Sequence, residues 1–388
     1  MPSCPRCLRA LPDTARGVCV YCGAPLGKGL SRSRSGPPRA ADALVGTTID
    51  GRFYVEDLIG QGGMGEVYRA RHLALDRTVV LKMLKRSFLE DPTLVGRFER
   101  EAKAASRLNH PNVIQVLDFG RAGPDRSLYI VMEHVDGKDL RAVLRDEWPL
   151  AEERLCHIMA QVCAALSEAH ANNVIHRDLK PENIMVQERR DHPDFVKVLD
   201  FGIAKILDHE LTGPVRLSTG RLAAQSAPGL TRHDVVCGTP QYMAPEQATG
   251  AHLDARSDLY AVGVILYQMT TGHLPFDGPS SMDVLTKHVN EPPLPPRERQ
   301  PDAPISEPME EMILRALEKD PSLRPQNAEQ FREELLAIPE KARSRTTPPE
   351  VEVVAPPPAR PIAPLVAGIA LVVVALAAVA VQLLQMTP

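Results

Sequence analysis

Two short polar loops constrain this chain more than any other feature. In "VIHRDLKPENIMV" an apolar strand-like turn leads into six residues that hold Asp178, Lys180 and Asn183. Seventeen residues after Asn183 a second strand, "FVKVLDFG", ends in Asp200, Phe201 and Gly202. The first loop is preceded by "LAEERLCHIMAQVCAALSEAHANN", where Leu155, Ile158, Met159, Val162, Leu166 and Ala169 fall on one face of a predicted helix.

From about Phe53 the pattern is that of strands. "FYVEDLIG", "GEVYRARH" and "TVVLKML" are rich in β-branched and aromatic residues and are broken by glycine or charged turns. Between the first two lies "GQGGMGEV", with Gly60, Gly62 and Gly65 in a G-x-G-x-x-G spacing. Backbone N–H groups in such a turn can approach phosphate oxygens because no Cβ stands in the way. A dinucleotide-binding fold uses the same spacing to join a strand to a helix, whereas both flanks here read as strands. Lys82 closes the strand "VVLK", and nineteen residues later Glu101 sits in "RFEREAKAASRLNHPNVI", where Phe98, Ala102, Ala105 and Leu108 have helical spacing. A helical Glu101 paired with Lys82 would hold the ammonium at α- and β-phosphates; a solvated helix of alternating charge is the competing reading of the same glutamate. A carboxylate to orient a hydroxyl, an amide oxygen and a second carboxylate to hold Mg²⁺, and lysines to offset phosphate charge are what phosphoryl transfer requires.

In this order the motifs resemble those of bacterial Ser/Thr protein kinases of the kind that resembles eukaryotic kinases, over about Phe53 to Leu336. The resemblance implies an α+β, two-lobed protein kinase fold: a small, mostly antiparallel sheet with one key helix, then a larger helical lobe, with ATP in the cleft. By the same resemblance Ile59, Gly60, Gln61, Gly62, Gly63, Met64, Gly65, Glu66 and Val67 cover the nucleotide, with Lys82 and its partner Glu101 at the phosphates. Met132 backs the adenine pocket, and Glu133 to Val135 offer hinge backbone groups. Asp178 accepts or steers the substrate hydroxyl proton, Lys180 neutralises the transferring phosphoryl group, and Asn183 and Asp200 hold Mg²⁺ or Mn²⁺. Arg324 in "DPSLRP" is expected to pair with Glu246 of "APE", and Asp258 to anchor the catalytic-loop backbone. Lys180, two residues past Asp178, and Thr239 in "GTPQYMAPE" are similar to Ser/Thr rather than tyrosine kinases. Val80 replaces the usual alanine beside the adenine, narrowing the pocket without removing a polar contact. A pseudokinase scaffold that recruits partners without transferring phosphate is the alternative; its usual mark is loss of the strand lysine or of either aspartate, and all three are present.

Between Asp200 and Glu246 the insert "LTGPVRLSTGRLAAQSAPGLTRHD" has no sustained periodicity. Thr231, seven residues before Gly238, is where similar kinases carry an autophosphorylated threonine, with Thr212, Ser218, Thr219 and Ser226 as weaker candidates. A phosphate there would bring roughly −1.5 to −2 charge within reach of Arg177. A homodimer phosphorylating itself in trans is compatible with this expectation. Cys156 and Cys163 share a helix face but lie too far apart along the axis to bond, so they read as packing residues. Cys237 reads as a small apolar side chain.

The flanks carry separate signals. "LVAGIALVVVALAAVAVQLL", Leu365 to Leu384, is uncharged and would span roughly 30 Å as a helix, the thickness of a bilayer core. A buried core helix is the competing reading. Lys341, Arg343, Arg345 and Arg360 precede it and only "QMTP" follows, so the positive-inside rule predicts a single-pass helix of the inner membrane with everything before it in the cytoplasm. That compartment is reducing, and two C-x-x-C pairs in it, Cys4 with Cys7 and Cys19 with Cys22, favour a structural Zn²⁺ ribbon over disulfides. A dithiol redox motif is the runner-up. Residues 1 to 40 carry Arg6, Arg9, Arg16, Lys28, Arg32, Arg34 and Arg39 against Asp13 alone, an arm suited to an acidic protein or a membrane surface, or else a solvated linker. The whole-chain net charge of −4 gives no argument for nucleic acid, which is disfavoured as a partner. The predicted order is a zinc-ribbon-like module (1–27), a basic Pro/Ser/Gly linker (28–50), the kinase domain (51–337, small lobe to about 135, activation segment 200–246), a Pro-rich juxtamembrane linker (338–362) and the membrane helix (363–384). Asn327 and Gln330 read as a capping box opening the last helix of the domain.

Overall fold

The computed structural model describes residues 44–346, apart from 63–64, 86–88, 90–91, 124–125, 191 and 202–238, together with position 376. The chain divides at Arg343 and Ser344 into two compact units, and both lobes described below lie in the first. Cys4, Cys7, Cys19, Cys22, Gly63, Met64 and Thr231 lie outside the described residues, as does the Leu365–Leu384 segment except for helical Leu376. Among the described residues no helix is long and apolar enough to cross a membrane, and no cluster of potential metal ligands occurs.

The strand pattern read from Phe53 onward builds a six-stranded sheet. β1 (Thr48–Ile49), β2 (Phe53–Gln61), β3 (Gly65–His72) and β4 (Arg77–Leu84) are followed by α1 (Pro92–Ala105), β5 (Val116–Ala122) and β6 (Ser127–Glu133). The strands pair antiparallel in the order β1-β2-β3-β4-β6-β5. Period-two alternation decides what each face carries. Val79, Leu81 and Met83 of β4 pack with Val55, Tyr68 and Val131 on one face. Val80 goes to the other face, where Ile130 and Met132 meet Phe98 and Ala102 of α1, and Lys82, in step with Val80, emerges there too. α1 therefore lies over the face that presents the lysine.

The larger lobe begins with β7 (Lys138–Asp139), α2 (Leu140–Glu147) and α3 (Glu152–Ala171), and continues through β8 (Ile184–Arg189) and β9 (His192–Val198), which form the sheet β7-β8-β9. Beyond the activation segment come α4 (Pro245–Thr249), α5 (Ala255–Thr271), α6 (Ser281–Asn290), α7 (Pro296–Arg299), α8 (Glu307–Ala316) and α9 (Ala328–Thr346). All six apolar residues predicted on one face of α3 are buried. They join one core with α5, which is buried along nearly its whole length from Ser257 to Thr271 and so makes the central helix of the lobe. Helix ends are fixed by side chains: Asp139 caps α2 through the Ala142 N–H, Ser306 caps α8 through that of Met309, and Ser280 and Asp283 form a reciprocal box on α6. Cys156 and Cys163 are both buried, and burial pushes the Cys156 thiol up to about 12, so both pack rather than react.

Packing continues on either side of the 51–337 expected for the kinase domain: Ile49 is buried in the outer core of the sheet with Leu44 packed against it, and α9, which runs to Thr346 through Pro339, buries Ile338 in the large-lobe core. One expectation needs correction. The box at α9 is half formed. Asn327 Oδ1 accepts from the Gln330 N–H at 2.7 Å, but Gln330 Nε2 donates to Glu334 one turn on, at 2.9 Å, rather than back to the cap.

Candidate active site

Lys82 and Asp200 meet in the cleft, Nζ to Oδ2 at 2.8 Å, from β4 of the small lobe and from the turn after β9 of the large one. Burial pushes the Asp200 carboxyl up, but the charge and hydrogen bond of Lys82 outweigh it and hold the group below the usual carboxylate range, so it is an anion at neutral pH. The backbone of Glu101 lies in α1; its side chain is outside the described residues. Asp200 and Arg177 both have left-handed backbones, with φ of 58° and 68°. For residues other than glycine such a conformation costs roughly 1–3 kcal/mol and persists only where surrounding bonds over-determine it.

Those bonds are present. Asp258, at the start of α5 and 1% exposed, accepts the backbone N–H groups of His176 at 2.8 Å and Arg177 at 2.9 Å, and His170 Nε2 lies 2.8 Å from the same carboxylate. Burial pushes Asp258 up, and these partners bring it below the ordinary range, so it stays charged. His176, fully buried, donates from Nε2 to the Leu199 carbonyl at 2.8 Å and stacks 4.9 Å from Phe201. The loop that carries Asp178 and the strand end that carries Asp200 are thus tied by one imidazole.

Within the loop, Lys180 Nζ donates to Asp178 Oδ2 at 2.6 Å and to Thr239 Oγ1 at 3.1 Å. Asn183 Nδ2 donates to the Asp178 carbonyl at 2.7 Å, and the Asn183 carbonyl accepts from the Leu199 N–H at 2.8 Å. An amide oxygen and a carboxylate one residue beyond Leu199 are hard oxygen donors of the kind Mg²⁺ takes. Above them β2 and β3 form a hairpin closed by the Gly62 N–H to the Gly65 carbonyl at 2.9 Å, pairing Gly60 with Val67 and Gln61 with Glu66. A Cβ on Gly65 would lie 2.0 Å from the Met83 carbonyl oxygen, so this glycine is required by contact with β4. Among the described residues Gly60 and Gly62 meet nothing closer than 3.6 Å, so no contact there accounts for their lack of a side chain. Ile59 is half exposed on β2, and Met132 ends the apolar run of β6 before Glu133.

The segment from Thr239 onward is pinned to both loop and lobe. Arg324 grips Glu246 with two nitrogens, as expected, and Ser257 Oγ donates to Glu246 Oε1 at 2.7 Å. Three contacts had no signal in the sequence. Gln247 Nε2 donates to the Arg177 carbonyl at 2.8 Å; His288 Nε2 donates to the Gln241 carbonyl at 3.1 Å while its Nδ1 accepts from Tyr260 at 2.8 Å; and Lys197 Nζ donates to Glu133 Oε1 at 2.6 Å. Each partner lies tens of residues away along the chain.

The model of the protein kinase domain matches residues 53–336. The serine/threonine-protein kinase pkn3 of Myxococcus xanthus is 56% identical over 308 residues, 79% of this chain and 54% of that protein. PknB of Mycobacterium tuberculosis is 40% identical over 292 residues, 75% of this chain and 43% of its own length. The chain thus spans about half the length of these curated relatives. Among solved structures, the PknI kinase domain of Mycobacterium tuberculosis superposes with a TM-score of 0.56 at 27% identity, covering 76% of this chain and 98% of that one. Rad53 in complex with AMP-PNP gives 0.57 at 25% identity, covering 74% and 65%. With the two lobes and the Lys82–Asp200 and Asp178–Lys180 pairs in place, the chain belongs to the protein kinase family, and the two sequence relatives named above are bacterial serine/threonine-protein kinases.

Proposed function

We propose that the chain is a serine/threonine protein kinase that transfers the γ-phosphoryl group of ATP to protein Ser or Thr hydroxyls. The observation that carries this reading is that Lys82 of the small lobe pairs with Asp200 of the large one across the cleft, beside the Asp178–Lys180 pair of the large-lobe loop. Asp178 receives or steers the hydroxyl proton as the hydroxyl oxygen bonds to phosphorus and the bond to ADP breaks. Lys180, already beside Asp178 and Thr239, offsets charge on the phosphoryl group in flight. Asn183 and Asp200 hold Mg²⁺, which when bound neutralises phosphate charge. Gly60 and Gly62, which meet no described residue closely enough to exclude a side chain, leave room for phosphate oxygens over Lys82. The hinge edge at Glu133 and Val135 takes the adenine. The named relatives act on Ser/Thr, which supports the hydroxyl class. All the groups that a pseudokinase would lack are present. Purified chain with labelled ATP and a generic basic protein, run beside Asp178→Asn, tests the reading: equal incorporation in both would sink it.

Four further elements belong to this proposal and rest on the sequence. Cys4, Cys7, Cys19 and Cys22 form a structural Zn²⁺ site; one zinc per chain, lost together when the cysteines are changed to serine, is the expected metal content. Leu365–Leu384 anchors the kinase to the inner membrane with the domain in the cytoplasm, which carbonate-resistant membrane fractionation checks. Thr231 is the activating phosphosite, read by phosphopeptide mapping. Trans-autophosphorylation within a homodimer is tested by mixing active chain with tagged Asp178→Asn.

A further inference from the structure

Lys197 lies in β9, three residues before Asp200, and is 8% exposed. Its Nζ donates to Glu133 Oε1 at 2.6 Å and to the Val113 carbonyl at 3.1 Å. The same Glu133 oxygen accepts the Gln115 N–H at 2.8 Å, while the Glu133 N–H donates to the Gln115 carbonyl at 3.0 Å. Glu133 therefore holds the 113–116 segment and Lys197 together at the end of β6. Around this point the 112–114 segment also meets β9 directly: Val113 bridges Val198 in parallel, with Ile114 N–H to the Val198 carbonyl at 2.9 Å and Val198 N–H to the Asn112 carbonyl at 2.8 Å, and Asn112 Nδ2 donates to the Val196 carbonyl at 2.8 Å. A buried ion pair is a weak source of net stability, because desolvating both charges offsets most of their attraction. What a bond of this kind supplies is a fixed distance.

We propose that Lys197 is a positioning residue for the nucleotide: by holding Glu133 to β9 it sets the separation between the hinge edge at Glu133–Val135 and Asp200. This rests on the kinase reading above, in which one end of ATP meets that edge and the other meets Asp200 and its metal. A nucleotide must reach both ends at once, whereas a peptide docking on the Thr239 side touches neither β6 nor Glu133. Loss of the lysine thus weakens ATP and spares the peptide.

The test uses the full chain as wild type, Lys197→Met and Lys197→Arg, with ATP titrated at saturating peptide, peptide at saturating ATP, and the melting temperature measured without nucleotide. Lys197→Met is expected to raise KM for ATP by about tenfold, as a part-buried carboxylate loses its charged partner and its tie to β9, with kcat and KM for peptide within about twofold. Lys197→Arg, which keeps the charge and the donors, should recover most of the loss. A KM for ATP within twofold of wild type in Lys197→Met overturns the proposal. So does a parallel loss in kcat, both KM values and melting temperature, which marks a general structural role. If Lys197→Met fails to fold, Lys197→Gln, which keeps a donor for Val113 but no charge, is held to the same criterion. Titration of a fluorescent ATP analogue separates the two readings: an inactive wild type that binds nucleotide tightly, with the affinity lost in the variant, refutes the kinase activity but not the clamp.

Discussion

Arg324 holds Glu246 through both ends of its guanidinium, Nη1 to Oε1 at 2.8 Å and Nη2 to Oε2 at 2.9 Å, with the arginine side chain fully buried. Three backbone carbonyls, of Glu318, Lys319 and Arg256, take further donors of the same guanidinium. Burial raises the Glu246 carboxyl, and Arg324 with Ser257 lowers it further than burial raises it, so the pair is ionised at neutral pH.

Truncating one member leaves the other charged and buried. Arg324→Ala is expected to cost roughly 3–5 kcal/mol in chemical denaturation, the range for breaking a buried pair. Arg324→Lys should recover only part of it, because a point charge cannot span both carboxylate oxygens or reach three carbonyls. An Arg324→Ala chain as stable as wild type would show that the pair contributes nothing to the fold.

The catalytic pair should behave in the opposite way. Asp178 is held through its backbone by Asn183 and sits at the surface of the loop, so Asp178→Asn keeps the shape while removing the proton acceptor. The expected result is a fall in kcat of about 10²–10⁴ with little change in melting temperature or in KM for ATP. Lys82→Met takes away the partner that keeps Asp200 ionised, and it should lower ATP affinity as well as kcat. Retention of ATP affinity in Lys82→Met would count against the phosphate role of the lysine.

Gly60 and Gly65 share a motif but not a reason. A methyl at Gly65 runs into the Met83 carbonyl at 2.0 Å, backbone that cannot move without disturbing β4. Gly65→Ala should therefore destabilise the apo chain by about 1–3 kcal/mol. A methyl at Gly60 meets only the Val67 side chain at 3.6 Å, so Gly60→Ala should leave apo stability intact and raise KM for ATP. Equal apo stability in both alanine variants, read by denaturation, would contradict this division.

The order of these residues in the chain explains what could be read in advance. The strands around Lys82 and the apolar face of α3 are local periodicities, and Asp178, Asn183 and Asp200 sit in short contiguous motifs. Those features need no knowledge of what lies opposite. Gln247, Lys197 and His288 were missed because their meaning lies in partners 70, 64 and 47 residues away, and a single glutamine, lysine or histidine has no period. The packing of Ile49 and Ile338 could not be read for a related reason: each is buried against core residues distant in the chain.

His288 gives the pH dependence. The ring is fully buried in α6 between Tyr260 and Phe276, its Nε2–H donates to the Gln241 carbonyl and its Nδ1 accepts from the Tyr260 hydroxyl. A second proton on Nδ1 displaces the bond that Tyr260 donates there, and the cation Lys319, packed 4.3 Å over Phe276, opposes the added charge. Burial first, and then Lys319, push the imidazole down to about 4. In the unfolded chain it titrates near 6.5, so between pH 6.5 and 4 the unfolded state binds a proton that the folded state refuses. Stability from this residue is thus full above about pH 6.5 and falls as pH drops toward 4, by on the order of 3 kcal/mol. Glu246 and Asp258, both held below their ordinary range, lose their contributions only at lower pH, so the two effects separate along the axis. His288→Gln can still donate to Gln241 and accept from Tyr260 but does not titrate. The stability of wild type relative to His288→Gln should fall as pH drops from 7 to 4; a constant offset across that range would mean that His288 does not exchange a proton on unfolding. Because Gln241 lies two residues from Thr239, which touches Lys180, the same loss of the Tyr260 bond should appear as a rise in KM for peptide before global unfolding.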